Sequence, residues 1–253
     1  MEASPPHRKQ RLSSPEPAAE AATPSLDSLP PEILEKVISC LRVRDAVRTC
    51  SLSRAWRRRW ESTPGIRFGW GSAAAAAPPV ANGAVLARYA CPVGDFCCWG
   101  IPEEALARTE EWIPVLAGKG VQSLTLRFRE YIHVEVHTLH PAIFSCRELT
   151  HLTLHDCFLP TAPPSFVGFP KLTWLSLTTV GFREHGERDL EAMIHMSPLL
   201  ETLELKDIRI LSDELDEWVI QAPNLRHLTF EADDDYELQI GELPSLEEAN
   251  VKC

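Results

Sequence analysis

Nine histidines and eight cysteines are the side chains of this 253-residue chain best able to hold a metal or act as nucleophiles, and their spacing decides whether they can. His151 and His155 stand four apart, as do His133 and His137, so on a helix either pair would converge on one zinc ion. On strands, which rise about 3.3 Å per residue, the rings of each pair would be about 13 Å apart, too far to share an ion bound near 2 Å. The flanking sequence reads as strand, so no metal site is expected. His185 has acidic company in the REHGERD stretch, which reads as a solvated loop. Asp233, Asp234 and Asp235 could attract a cation but lack the glycine and distal glutamate of a calcium loop. The GWGSAA stretch from Gly69 formally fits a dinucleotide fingerprint, yet Pro78-Pro79 closes the would-be helix early and no βαβ unit surrounds it. With these removed, no catalytic residue is expected and the chain does not read as an enzyme.

The elements that carry these residues follow from composition and periodicity. Apolar residues make up 44% and charged residues 24%, ordinary for a globular chain with one or two domains. No window approaches the roughly 18 apolar residues of a membrane span, and the N-terminus has no signal-peptide core. These features point to the nucleus or cytoplasm, where cysteines without a CxxC pair are expected as free thiols. Residues 1–60 carry a net charge of +4 and residues 61–253 a net of -15. Such an acidic C-terminal part repels a phosphate backbone, which argues against nucleic acid as a main partner. Pro, Ser, Ala and Glu dominate residues 1–25, which read as a disordered tail.

Folding is expected to begin near Leu26. Leu29-Pro30-Pro31 enters a helix, with Asp27 or Ser28 as its cap, along which Leu29, Ile33, Leu34, Val37, Ile38 and Leu41 recur at helical spacing. Asp45 would cap a second helix carrying Val47, and Ser51 or Ser53 a third carrying Trp56 and Trp60. Three helices in about 40 residues make little interior, and each of the six aliphatic side chains would contribute about 1.5–3 kcal/mol if fully buried. Part of that stripe is therefore expected to need a partner.

A period then takes over. Leu149, Leu152, Leu154, Cys157 and Leu159 fit LxxLxLxxCxL, and the register returns from Leu172, Leu200 and Leu225, with weaker copies from Val121 and Leu246. The spacings of 21 to 28 residues match leucine-rich repeats. Each repeat should supply one short parallel strand whose leucines enter a shared core, with the alternate residues on the opposite face. Cys157 then sits where such repeats bond the turn backbone. Three ladders follow: Ser123, His151, Trp174, Thr202, His227, Glu248; then Thr125, Thr153, Ser176, Glu204, Thr229, Asn250; then Arg127, His155, Thr178, Lys206, Glu231, Lys252. His151, Trp174, Thr202 and His227 are the candidate target-binding residues, with Trp174 as anchor or else covered by the chain's own loops.

LPPEILEKVISCL, RDAVRTCSLSRAW and RRRWESTP together resemble the F-box, and the whole chain resembles the plant F-box/leucine-rich-repeat proteins. The resemblance implies an α/β fold, an N-terminal three-helix F-box followed by a short open leucine-rich-repeat solenoid with a parallel sheet. Together with composition and periodicity it divides the chain into a tail at 1–25, the F-box at 26–66, a flexible linker at 67–83, a strand and helix leading into the array at 84–120, and about six repeats at 121–253, the last incomplete. It implies docking on a Skp-type adaptor, and through it a cullin, by Leu29, Pro30, Ile33, Leu34, Ile38 and Leu41. Val37, Val47, Leu52, Trp56 and Trp60 would form the module's own core. The function implied is substrate recognition in an SCF-type ubiquitin ligase; the alternative is a repeat scaffold that joins no ligase. Six repeats make an open arc, and an acidic array suits polyphosphate poorly, so no inositol phosphate or other cofactor is expected. The last repeat stops one strand in, so either the chain is a truncated product or something else covers that edge.

Overall fold

The computed structural model describes residues 26–54, 56–63, 65–69, 86, 89, 92–101, 106–129, 137–212, 217–232 and 238–252. The sequence-stretch readings at Asp233–Asp235, His133 and most of the 67–83 linker fall outside these residues.

The chain opens on a 3-10 turn, Leu26–Ser28, and helix α1, Pro31–Ser39. Pro30 occupies the N-cap and Pro31 the first helical position, where a missing N–H costs nothing, and no side chain caps the helix. Helix α2, Val43–Arg48, starts after Arg42, so Asp45 lies inside its first turn instead of capping it. The third helix expected through Trp56 and Trp60 is replaced by turns ending in a 3-10 turn at Arg59–Ser62. Arg58 takes φ 66°, a left-handed conformation that stops an α-helix, in a segment where Arg54, Arg57 and Arg58 would repel at i+3 and i+4.

Strand β1, Gly65–Gly69, follows at once. The expected boundary between module and linker at 66/67 therefore falls inside a strand. β1 pairs in parallel with β2, Asp95–Ile101, and β2 with β3, Ser123–Phe128, so the sheet begins two strands before the repeat period. Where one or two strands were open over 84–98, the described residues contain β2 alone. Helix α3, Leu106–Gly118, joins β2 to β3; Gly120 closes it at φ +67°, and the Val121 N–H donates to the Leu116 carbonyl.

Beyond β3 the sheet continues through β4 (His151–Phe158), β5 (Trp174–Phe182) and β6 (Thr202–Lys206). A two-residue strand, β7 (Arg209–Ile210), extends the far end of β5. Past β8 (Trp218–Ile220) come β9 (His227–Glu231), β10 (Leu238–Ile240) and β11 (Glu248–Lys252). The main sheet runs β1-β2-β3-β4-β5-β6-β9-β11, and β8 pairs with β10 in a separate two-stranded sheet. Every pairing is parallel.

Two leucine-type positions per strand explain the stacking. Leu124 and Leu126, Leu152 and Leu154, Leu175 and Leu177, Leu203 and Leu205, and Leu228 and Phe230 are all buried on one face. One strand cannot close that layer, so each depends on its neighbours. Helix α4, Gly186–His195, lies between β5 and β6 and sets Leu190, Met193 and Ile194 inward. The stretch around His185, read as a solvated loop, is thus the start of a helix, because the apolar i, i+3, i+4 spacing that follows wins over its charged composition.

Candidate functional site

Two surfaces carry the residues singled out from the sequence. On the N-terminal module, α1 presents two apolar rows about 100° apart. Leu34 and Ile38 point inward, 1% and 2% exposed, toward Trp60, Ala46 and Tyr89. Ile33 and Val37 point outward, 46% and 42% exposed, in line with Leu29 and Leu26. Leu41 is half-buried against the core and Pro30 is exposed. The two roles assigned from sequence are therefore redistributed: Leu34 and Ile38, placed on the adaptor side, are interior, while Val37, Val47 and Leu52, placed in the module core, are exposed. Both rows have the same periodicity, and only the position of β1 and Trp60 decides which of them is covered. Trp56 and Trp60 are buried. Arg42 joins the module to the sheet, with its guanidinium 5.7 Å from the Trp99 ring centre and a parallel bridge to Arg67.

The second surface is the polar face of the main sheet. The register sets Ser123, His151, Trp174, Thr202, His227 and Glu248 side by side, and two residues further along Thr125, Thr153, Ser176, Glu204, Thr229 and Asn250. The third row runs Arg127, His155, Thr178, Lys206, Glu231, Lys252 in the same register. Trp174 is 36% exposed, so the chain's own loops leave it open to solvent. Trp174, Thr202 and His227 meet in one concavity of about 310 Å³, together with Glu204, Thr229, Glu248 and Asn250. His151 stands beside Trp174 on the adjacent strand but does not line it; its Nδ1 is 2.9 Å from the Thr150 hydroxyl. Glu204 and Glu248 were not among the nominated target-binding residues, although the register already aligned them with the others.

Electrostatics differ along the face. The Ser176 hydroxyl donates to Glu204 at 2.9 Å. In the third row Lys252 and Lys206 both lie against Glu231, at 3.0 and 3.9 Å, and the Lys252 hydrogen bond holds that carboxyl below its ordinary range. Partial burial lowers the pKa of His155, helped by Arg127 and Lys206 and opposed by Glu204.

His151 and His155 both lie on β4, four residues apart along an extended strand, and among the described residues no cluster of three metal-type ligands occurs. Burial pushes the Cys157 thiol well above its ordinary pKa, with Asp156 adding to the shift, and raises Cys146 to about 12. Thiols held protonated in this way are poor nucleophiles. His137 donates from Nε2 to the Thr109 hydroxyl at 2.6 Å, since that hydroxyl spends its own proton on the Leu106 carbonyl. Among the described residues no helix is long and apolar enough to cross a membrane.

Two family models match the two parts of the chain. A model of the F-box domain matches residues 26–67, and one described as the leucine-rich repeats of FBD-associated F-box protein At5g56370 matches residues 109–252. The chain is similar to F-box/LRR-repeat protein At1g06630 of Arabidopsis thaliana, 27% identical over 239 residues covering 88% of this chain and 57% of that protein. It is also similar to F-box/FBD/LRR-repeat protein At1g13570 of the same plant, 28% identical over 214 residues covering 80% and 48%. F-box/LRR-repeat protein 13, again from Arabidopsis thaliana, is 26% identical over 219 residues covering 83% and 46%. The chain spans about half the length of the curated relatives it matches. No solved structure matches it.

Proposed function

Because the chain belongs to the plant F-box/leucine-rich-repeat family, we propose that it is the substrate-recognition subunit of an SCF-type cullin-RING ubiquitin ligase. F-box domains generally bind Skp-type adaptors, and proteins of this family are generally non-catalytic receptors. In this reading residues 26–66 dock on the adaptor, the repeats form a short open solenoid that captures a target protein, and the chain performs no catalysis. Its contribution is proximity, which raises the effective concentration of target lysines near a charged conjugating enzyme. It acts in the nucleus or cytoplasm and uses no cofactor.

The observation that carries the reading is the outward row of the module. Six of the fourteen exposed large apolar side chains among the described residues fall between Leu26 and Leu52, including Leu29, Ile33 and Val37. A row of this kind on a small domain is costly in water unless a partner covers it. The docking contacts we propose are Leu26, Leu29, Pro30, Ile33 and Val37, with Leu34, Ile38 and Leu41 acting from behind to hold α1 in place.

Co-expression with a Skp-type adaptor and a cullin tests it. The three should purify as one complex, and Ile33→Asp should release the chain while leaving its thermal midpoint unchanged. A well-folded chain that ignores the adaptor would support the non-ligase scaffold instead.

A further inference from the structure

The concavity at Trp174 has a chemical character that the general role of a target receptor does not specify. Its wall holds one large exposed aromatic, two carboxylates, Glu204 and Glu248, one imidazole, His227, and no Lys or Arg. At about 310 Å³ it lies at the lower end of ligand-binding cavities, a size suited to one or two side chains and too small for a domain. Trp174 stands on β5 and Glu248 three strands away on β11, a span of roughly 14 Å at ordinary strand spacing, with Glu204 between them and two residues further along β6.

We propose that this concavity receives a lysine or arginine side chain of the bound protein, the cation lying over Trp174 with Glu204 and Glu248 as its counter-charges. The proposal rests on the reading of the sheet face as the target-binding surface. Tryptophan is the aromatic that attracts a cation most strongly, and a nearby carboxylate adds a charge-assisted hydrogen bond. The Ser176 hydroxyl donates to Glu204 at 2.9 Å and so fixes one of its oxygens. The cations of the third row do not line the concavity, and Lys206 and Lys252 are both engaged with Glu231. An acidic peptide would face Glu204 and Glu248 with no Lys or Arg in the wall to offset them, so the site also discriminates against the opposite charge.

The full chain, immobilised with and without a Skp-type adaptor, is used to select from a random dodecapeptide display library. Selected peptides should carry Arg or Lys at one fixed position, and replacing that residue by citrulline or norleucine should weaken binding about tenfold. The preference should vanish in the Glu204→Gln/Glu248→Gln variant and in Trp174→Ala, with thermal midpoints checked beside the wild type. The citrulline comparison uses the unaltered protein, so it stands even if a variant folds poorly. Selection without a basic position, or a basic preference that survives both variants, overturns the proposal. A chain that binds its adaptor but shows no basic preference refutes this inference alone; one that selects basic peptides but ignores the adaptor refutes the ligase reading and leaves the inference standing.

Discussion

The Ser176 hydroxyl donates to a carboxylate oxygen of Glu204 across two adjacent strands, at 2.9 Å. Because Ser176 is itself buried, this bond keeps a polar group from being stranded inside the sheet and at the same time turns Glu204 toward the Trp174 concavity.

Removing it should cost little stability but much orientation. Ser176→Ala is expected to lower unfolding free energy by about 1 kcal/mol, and a double-mutant cycle with Glu204→Ala, which removes the accepting oxygen, in urea denaturation should return most of that figure as coupling. Additive effects would mean that the bond does not form in solution.

The two rows of α1 should answer mutation in opposite ways. Ile38→Ala deletes a fully interior side chain and should cost about 2–5 kcal/mol, read as a fall in urea midpoint. Ile33→Ala, at an exposed position, should stay within about 0.5 kcal/mol and yet weaken adaptor binding. Equal losses of stability from both would show that α1 is rotated relative to the arrangement described.

Gly168 adopts φ +83°, and a Cβ there would lie 1.9 Å from the Met196 carbonyl oxygen. Gly168→Ala therefore combines a strained backbone with a clash against main chain that cannot swing aside. A loss of about 3 kcal/mol or more is expected, measured by thermal or urea unfolding. A neutral effect would exclude the close approach of this loop to the end of α4.

Acidification should destabilise the fold through His137. Burial lowers its pKa below 6.5, so its contribution is present above that value and lost as pH falls through the folded pKa, where the unfolded chain has already taken up the proton. His155 shifts in the same direction. The urea midpoint should decline between about pH 7 and pH 5, and His137→Gln should flatten part of the decline. A profile unchanged by His137→Gln would remove this histidine as its source.

Thiol chemistry offers an independent check of the interior. Cys40, exposed at the end of α1, should react with iodoacetamide at pH 8 in the native protein. Cys146 and Cys157 should react only after unfolding, since burial keeps both protonated far above that pH. Labelling of all three at one rate would mean that the leucine-lined core is open.

The sequence by itself determined the strand register and its ladders. Paired leucines recur every 21–28 residues, and a period-two strand admits one assignment of faces once its leucines are inside. The two module faces were also legible as apolar spacing, and the strand character of residues 151–155 was enough to separate their histidines. Only the tertiary structure decided which of two equivalent rows on α1 is buried, because Leu34 and Leu29 differ in what lies next to them and not in chemistry. It also decided that Arg58 breaks the third helix, that β1 and β2 extend the sheet ahead of the repeats, and that Glu204 and Glu248 share a concavity with Trp174. Local patterns state what each residue prefers; which preference is met depends on contacts between segments 20 or more residues apart, and no single stretch of chain encodes those.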